Sequence, residues 1–422
     1  MQYNNINRNQ SVWKSVKEDR LILLCLFVSV TQLFFQWYEI FLAIPLFLLV
    51  AGKRYSQQSR NTVMWLLVFS LLFLFGHAFN SGIESRTLYL IYLFPPCYYL
   101  VGAYLGNKYR KNEKVLIFIL FTVVVMYAAY DLSLILYSVF SGDGGVLKDR
   151  LILDANGDVT RTATGFAIIM SVLIAGISLI ITPKQKGITK WIRISGVALG
   201  LLALYGMMTI VTRTSLFEAV VMILFSVYVL LTDNDKDGKK NSRLFAFGLA
   251  IVILGGIVYY LFQKTSLSII LDVFNAFEAR NTEGSDIGDA GGRLRFWSMA
   301  IEDLLMHPFG TPTGRISSGT YSHNMWLDIG ITAGWIPFLI ILVISIKNAC
   351  YSLRLLKDKS YDYMTRLYFV AMFLCFIMGC FVEPVLDNVY RHFLVYLFFC
   401  GMVSEMRPKS YSVSCPQEEV SF

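Results

Sequence analysis

Arg213, Arg293 and His323 carry the strongest chemical signal in this 422-residue chain. Arg213 sits in Thr212-Arg213-Thr214-Ser215, a turn between two apolar runs that is too short to need an arginine. Its guanidinium is a planar fork of donors suited to clamping phosphate. The alternative is a snorkelling side chain, or one paired with Glu218. Arg293 and Arg295 lie in Gly292-Arg293-Leu294-Arg295-Phe296-Trp297, at the start of an amphipathic stretch. Helix N-terminal amides together with an arginine also suit a phosphate, although an interfacial helix would bind lipid headgroups in the same way. His323 stands directly before an apolar run, where a neutral imidazole can take a proton from a hydroxyl near neutral pH. The competing role is helix capping by the segment Ser322-His323-Asn324. Asp328, five residues on, is too far round a helix to assign as a partner of His323 from spacing.

A second group of ionisable residues falls at the ends of apolar runs, where burial near lipid is costly and function is the default reading. It includes Glu39, Glu84, Arg86, Arg161, Glu383, Asp387 and Arg391, with His77 and His392 nearby. Asp387 and Arg391 are four residues apart, so an ion pair across one helical turn competes with a substrate-binding role for Arg391. Asp131 lies in mid-helix, as a buried polar partner or a site residue. His307 precedes Pro308 and reads as structural. Asp143, Asp149, Asp154 and Asp158 lack the EF-hand order, and no metal site is expected.

These residues must be positioned by membrane helices. The chain is 56% hydrophobic, 15% aromatic and only 16% charged, far from the roughly 25% charged residues of a soluble domain. The expected class is an all-α polytopic membrane protein, a single integral membrane domain over 1–422. Spans are expected near 21–35, 37–51, 62–79, 88–105, 115–140, 163–182, 191–211, 214–231, 244–262, 325–346, 367–382 and 388–405. Residues 21–50 read either as one long helix or as a hairpin turning at Gln36-Trp37-Tyr38-Glu39. Of the 37 Lys and Arg, 26 fall in segments on one side, which makes that side cytoplasmic and places both termini there. The same distribution, in short loops, argues against nucleic acid despite a net charge of +8. No cleavable signal peptide is expected, because the apolar run from Leu21 is too long. None of the seven cysteines falls on the outer side, so no disulfide is expected.

Two outer segments exceed ordinary turns, 141–162 and 263–324. Within the second, 293–307 predicts an amphipathic helix at the membrane surface, with Phe296/Trp297, Ala300/Ile301 and Leu304/Leu305 recurring and Pro308 ending it. Residues 281–292 read as a flexible Gly- and Asp-rich segment, and 406–422 as a cytoplasmic tail. No internal repeat is visible.

In order and membrane side, these pieces resemble the bacterial O-antigen ligase and Wzy-type O-antigen polymerase superfamily. The matching residues are Arg161-Thr-Ala-Thr-Gly165, Thr212-Arg213-Thr214, Gly292 to Trp297, His307-Pro308-Phe309-Gly310, and His323-Asn324 leading into Gly330-Ile-Thr-Ala-Gly334. The resemblance covers roughly residues 160–345. It implies a GT-C-like, metal-independent and cofactor-free glycosyltransferase with a periplasmic active site in the bacterial inner membrane. The donor would be a glycan on undecaprenyl diphosphate. The acceptor would be a second lipid-linked repeat unit for a polymerase, or lipid A–core for a ligase. By this resemblance Arg213 and Arg293 hold the diphosphate and His323 meets the acceptor hydroxyl. Arg161 is an accessory contact, with Arg295 and Arg391 as further substrate-binding candidates. A chain-length regulator protein would be a partner of the polymerase. A lipid-linked oligosaccharide transporter is the reading from another class; it would show internal repeats and helices broken at the midplane.

Overall fold

The computed structural model describes residues 12–31, 38–80, 88–141, 152–153, 159–160, 191–192, 194–196, 198–199, 293–382, 385–388 and 390–406. Arg161 and Arg213 lie outside the described residues, as do Glu84, Arg86 and Glu383. The described helices are α1 (Val12–Ser15), α2 (Arg20–Val30), α3 (Ala43–Ala51), α4 (Gln57–Asn80), α5 (Pro95–Tyr109) and α6 (Glu113–Ser141). They continue as α7 (Arg293–Met306), α8 (Met325–Ala333), α9 (Trp335–Lys357), α10 (Tyr363–Val382), α11 (Val385–Asn388) and α12 (Tyr390–Glu405). Among the described residues the architecture is all-α, apart from a two-residue antiparallel pair, Ile152–Leu153 with Val159–Thr160, inside the 141–162 segment. Two helices among the described residues, Gln57–Phe79 and Trp335–Lys357, are long and apolar enough to cross a membrane.

The core is built on α5 and α12. Pro95 and Pro96 start α5, where the first-turn N–H groups have no helical acceptor to lose. Every residue of α12 is buried. The two helices run parallel: the Tyr390 hydroxyl donates to the Ile91 carbonyl at 3.1 Å, Gly102 faces Phe398, and Gly106 faces Met402. Backbones touch here. A Cβ at Gly102 would strike the Phe398 carbonyl, and one at Gly401 the Tyr99 carbonyl. Gly102 and Gly106 are four apart, the small-residue spacing that lets membrane helices approach without side chains between them.

Polar clusters lock the two ends of this pair. At the Lys108 end, buried Asp19 accepts hydrogen bonds from the Tyr104 hydroxyl at 2.8 Å and from Tyr109, and pairs with Lys108 at 2.9 Å. Glu405 accepts from the hydroxyls of Ser56 at 2.6 Å and Ser59 at 2.5 Å. Glu113 accepts the Asp362 N–H at 2.9 Å and the Thr365 hydroxyl, tying α6 to the start of α10. Burial, with the Asp19 carboxylate alongside, pushes the Tyr109 phenol well above its ordinary range. At the opposite end Arg391 pairs with Glu39 at 3.1 Å, both fully buried.

The structure refines several expected boundaries. Residues 20–51 do not form one helix: α2 stops at Thr31, whose backbone is extended, and α3 follows the 3₁₀ turn Tyr38–Leu42. The expected span 325–346 is corrected, because it breaks at Gly334, where φ is 86°. The Trp335 N–H leaves the α8 ladder and donates to the Pro308 carbonyl at 3.0 Å. A Cβ on residue 334 would run into that same carbonyl. The apolar helix therefore starts at Trp335 and reaches Lys357.

Candidate functional site

The residues singled out in 293–324 form one compact unit. α7 starts at Arg293 and ends at Met306, close to the expected 293–307. Its inner stripe, with Ala300 and Leu304 buried, lies on α8, where Leu304 fills the space above Gly330. Ala300, Ile316 and Ile331 make a small core, flanked by Phe296 and Leu327. Asp303 turns inward on the same stripe and accepts the Ser317 N–H at 2.7 Å. The Thr311 N–H donates to the Ile331 carbonyl at 2.7 Å. The loop 307–324 is thus pinned to both helices, and the site does not depend on a free-hanging segment.

His323 sits at the exit of this loop. Its φ is 57°, and it is the one described non-glycine residue with positive φ. Left-handed backbone costs a residue with a Cβ roughly 1–2 kcal/mol. Its half-buried ring stacks on Phe296, with centroids 6.2 Å apart and planes 28° apart. The neighbours carry the structural duties. The Asn324 side chain caps α8 by accepting the Leu327 N–H at 3.2 Å. The Asp328 carboxylate accepts the Ser322 N–H at 2.8 Å and its hydroxyl at 2.7 Å. Capping, the competing role for this segment, therefore belongs to Asn324.

Arg293 lies three residues before Phe296 and four before Trp297, and so on the same helical face as both. The helix that carries Arg293 thereby also supplies the ring that stacks on His323. Arg295 is exposed, about 100° round the helix from Phe296. A wall of rings closes the inner side: Trp297 is 6.4 Å from Phe381, and Trp326 is 4.6 Å from Phe381. Arg315, on the loop, lies 5.1 Å over the Tyr321 ring, two residues before His323. The arrangement offers an imidazole with restricted orientation beside a helix N-terminus bearing a guanidinium. That set can hold an anionic group and take a proton from a hydroxyl.

Other expected site residues fall elsewhere. Arg391 is directed at Glu39, and its side chain is 2% exposed. The side chain of Asp387, the partner considered from spacing, lies outside the described residues. His392 is buried between the rings of Tyr127 and Phe376, with Nε2 3.2 Å from the Phe376 carbonyl. His77 packs against Phe73 and Tyr92, on the helix whose Gly76 touches Ala333 at the end of α8. His307 is exposed, and its N–H closes the last turn of α7 on Asp303. Among the described residues, no group of three or more His, Cys, Asp and Glu is placed to hold a metal ion. Sequence reasoning missed the roles of Phe296 and Asp328. The signal for Asp328 was an acid in the first turn of a helix, six residues after a serine; the loop bend that brings them together has no sequence period. No protein-family model matches the chain, and no curated protein matches it.

Proposed function

We propose that the chain is a polytopic inner-membrane glycosyltransferase that polymerises undecaprenyl-diphosphate-linked repeat units into O-antigen or a related surface polysaccharide. The observation that carries this reading is the constrained His323 imidazole stacked on the helix that begins with Arg293. His323 takes the proton of the acceptor hydroxyl as that oxygen attacks the anomeric carbon. The bond to the lipid diphosphate breaks, with inversion at that carbon. Fixed guanidinium groups, Arg293 and Arg213, stabilise the charge that grows on the diphosphate. Arg161 and Arg295 are assigned accessory contacts with the glycan or phosphates.

Membrane placement has its own support. On α4, Met64, Trp65, Val68, Leu71, Phe75 and Phe79 are exposed along one face. Leaving six such side chains in water would forgo roughly 10 kcal/mol of burial, so the natural surrounding of that face is lipid. The topology read from charge agrees with which residues meet. The cytoplasmic ends expected from charge meet through Asp19–Lys108, Ser56–Glu405 and Glu113–Thr365, and the outer helix ends through Glu39–Arg391, which supports this placement. The helix break at Gly334 is held by the outer loop through Pro308, an arrangement suited to shaping a site at a helix end.

The test is deletion and complementation in the source bacterium, with lipopolysaccharide resolved on gels. Loss of a polymerase leaves a single repeat on the core. Bare core with accumulated lipid-linked polymer identifies a ligase using the same chemistry. Arg213→Ala and His323→Ala must abolish chain extension while the protein still inserts. Normal long-chain glycan from both variants would refute the mechanism.

A further inference from the structure

We infer that Asp328, acting through Ser322, is a positioning residue that holds His323 in its left-handed conformation. This inference rests on reading His323 as the group that meets the acceptor. Asp328 and Ser322 are both buried, at 3% and 0% exposure. One carboxylate oxygen, Oδ1, takes the Ser322 N–H at 2.8 Å and the Ser322 hydroxyl at 2.7 Å. A hydroxyl has one proton, and the bond to the charged oxygen is the stronger use of it. The Ser322 oxygen then accepts the Asn324 N–H at 3.2 Å. Asn324 is fixed a second time, by its cap on Leu327 and by its carbonyl, which accepts the Asp328 N–H at 2.8 Å. The chain is thus tethered on both sides of His323, which becomes the short link between two fixed residues. Strained backbone persists where the surroundings over-determine it, and it gathers at functional sites. The clamp also explains why the ring lies on Phe296: with φ set at 57°, the Cβ direction of residue 323 is set too.

The clamp needs an acceptor oxygen at position 328, not a charge. Asp328→Asn retains Oδ1 for both Ser322 donors, whereas Asp328→Ala removes both bonds and Ser322→Ala removes the hydroxyl that links Oδ1 to the Asn324 N–H. The test is labelling of His323 by diethyl pyrocarbonate in the full chain in membrane vesicles, across pH, read by mass spectrometry of its peptide. Exposed His307 serves as an internal control for folding. We expect His323 labelling to rise about fivefold in both alanine variants, equivalent to roughly 1 kcal/mol of lost constraint at 1.4 kcal/mol per decade. Asp328→Asn should stay within about twofold of the parent at every pH, with chain extension retained. Unchanged labelling in Ser322→Ala and Asp328→Ala would overturn the clamp. So would an Asp328→Asn variant that behaves like Asp328→Ala, since the carboxylate would then act through its charge. Labelling as expected, combined with normal glycan from His323→Ala, would support the clamp and refute the proposed reaction.

Discussion

Replacing His323 by glycine and by alanine gives opposite expectations from those at an ordinary position. Both substitutions delete the imidazole and its contact with Phe296, so that loss cancels in the comparison. What differs is the Cβ. At φ 57° alanine keeps the clash of left-handed backbone, roughly 1–2 kcal/mol, and glycine removes it. Glycine gives back about 0.5–1 kcal/mol through the greater freedom of its unfolded chain. The net expectation is that His323→Gly is more stable than His323→Ala by about 0.5–1 kcal/mol. Elsewhere in a folded element the order is reversed by a similar amount. One kcal/mol moves the melting point of a 150–250-residue protein by roughly 2–4 °C, and less in a longer chain, so about 1 °C is expected here. Intrinsic fluorescence of the 7 tryptophans in detergent micelles, scanned at one heating rate, reads this difference. Both variants should lack glycan transfer. A glycine variant that melts below the alanine variant would show that position 323 carries no backbone strain, and the argument from its conformation would fail.

Three further outcomes follow from the packing. Gly102→Ala forces a methyl onto the Phe398 carbonyl, so the α5–α12 contact must open; we expect the variant to be scarcely detectable in membranes by immunoblot, while Gly52→Ala, where nothing lies within 4 Å, accumulates normally. Arg391→Met removes the guanidinium paired with buried Glu39 and should cost about 3–5 kcal/mol, whereas the double variant Glu39→Met/Arg391→Met should recover abundance and chain extension; recovery of abundance without chain extension would instead place Arg391 in contact with substrate. At the other end, burial opposes the Lys108 ammonium, but hydrogen bonding and charge from Asp19 outweigh it, and its pKa is raised overall. A raised pKa contributes stability that is full below the unfolded value near 10.4 and is lost as pH rises through the folded one. Melting curves from pH 8 upward should therefore show an alkaline loss that is smaller in Lys108→Met than in the parent, the remainder coming from buried phenols such as Tyr109.

Much of the helical plan was legible because apolar run length reports directly on helices. The run beginning at Leu21, the amphipathic stretch 293–307 and the polar interval after it all reappear within a few residues. An expected topology could be read from charge in the same way, because charge is a property of segments and not of contacts. His323 and Arg293 could be chosen as candidates from residue type and from their place next to apolar runs. Their relation could not. Phe296 reads as one member of an apolar stripe until α7 lies down on α8 and its ring meets His323. Spacing offers Arg391 a partner one turn away in Asp387; that the fold brings Glu39 to it across 352 positions has no local signal.

The amino-acid sequence alone determined that this is a chain of apolar helices interrupted by one long polar block, since burial preference and 3.6-residue periodicity are local properties. Tertiary structure decided that the expected span 325–346 breaks at Gly334, because the carbonyl that captures the Trp335 N–H belongs to Pro308, 27 positions earlier. It decided, too, that this histidine should stand in left-handed backbone: histidine is only enriched there, and a carboxylate, a hydroxyl and a helix cap meeting in space fix it at this position.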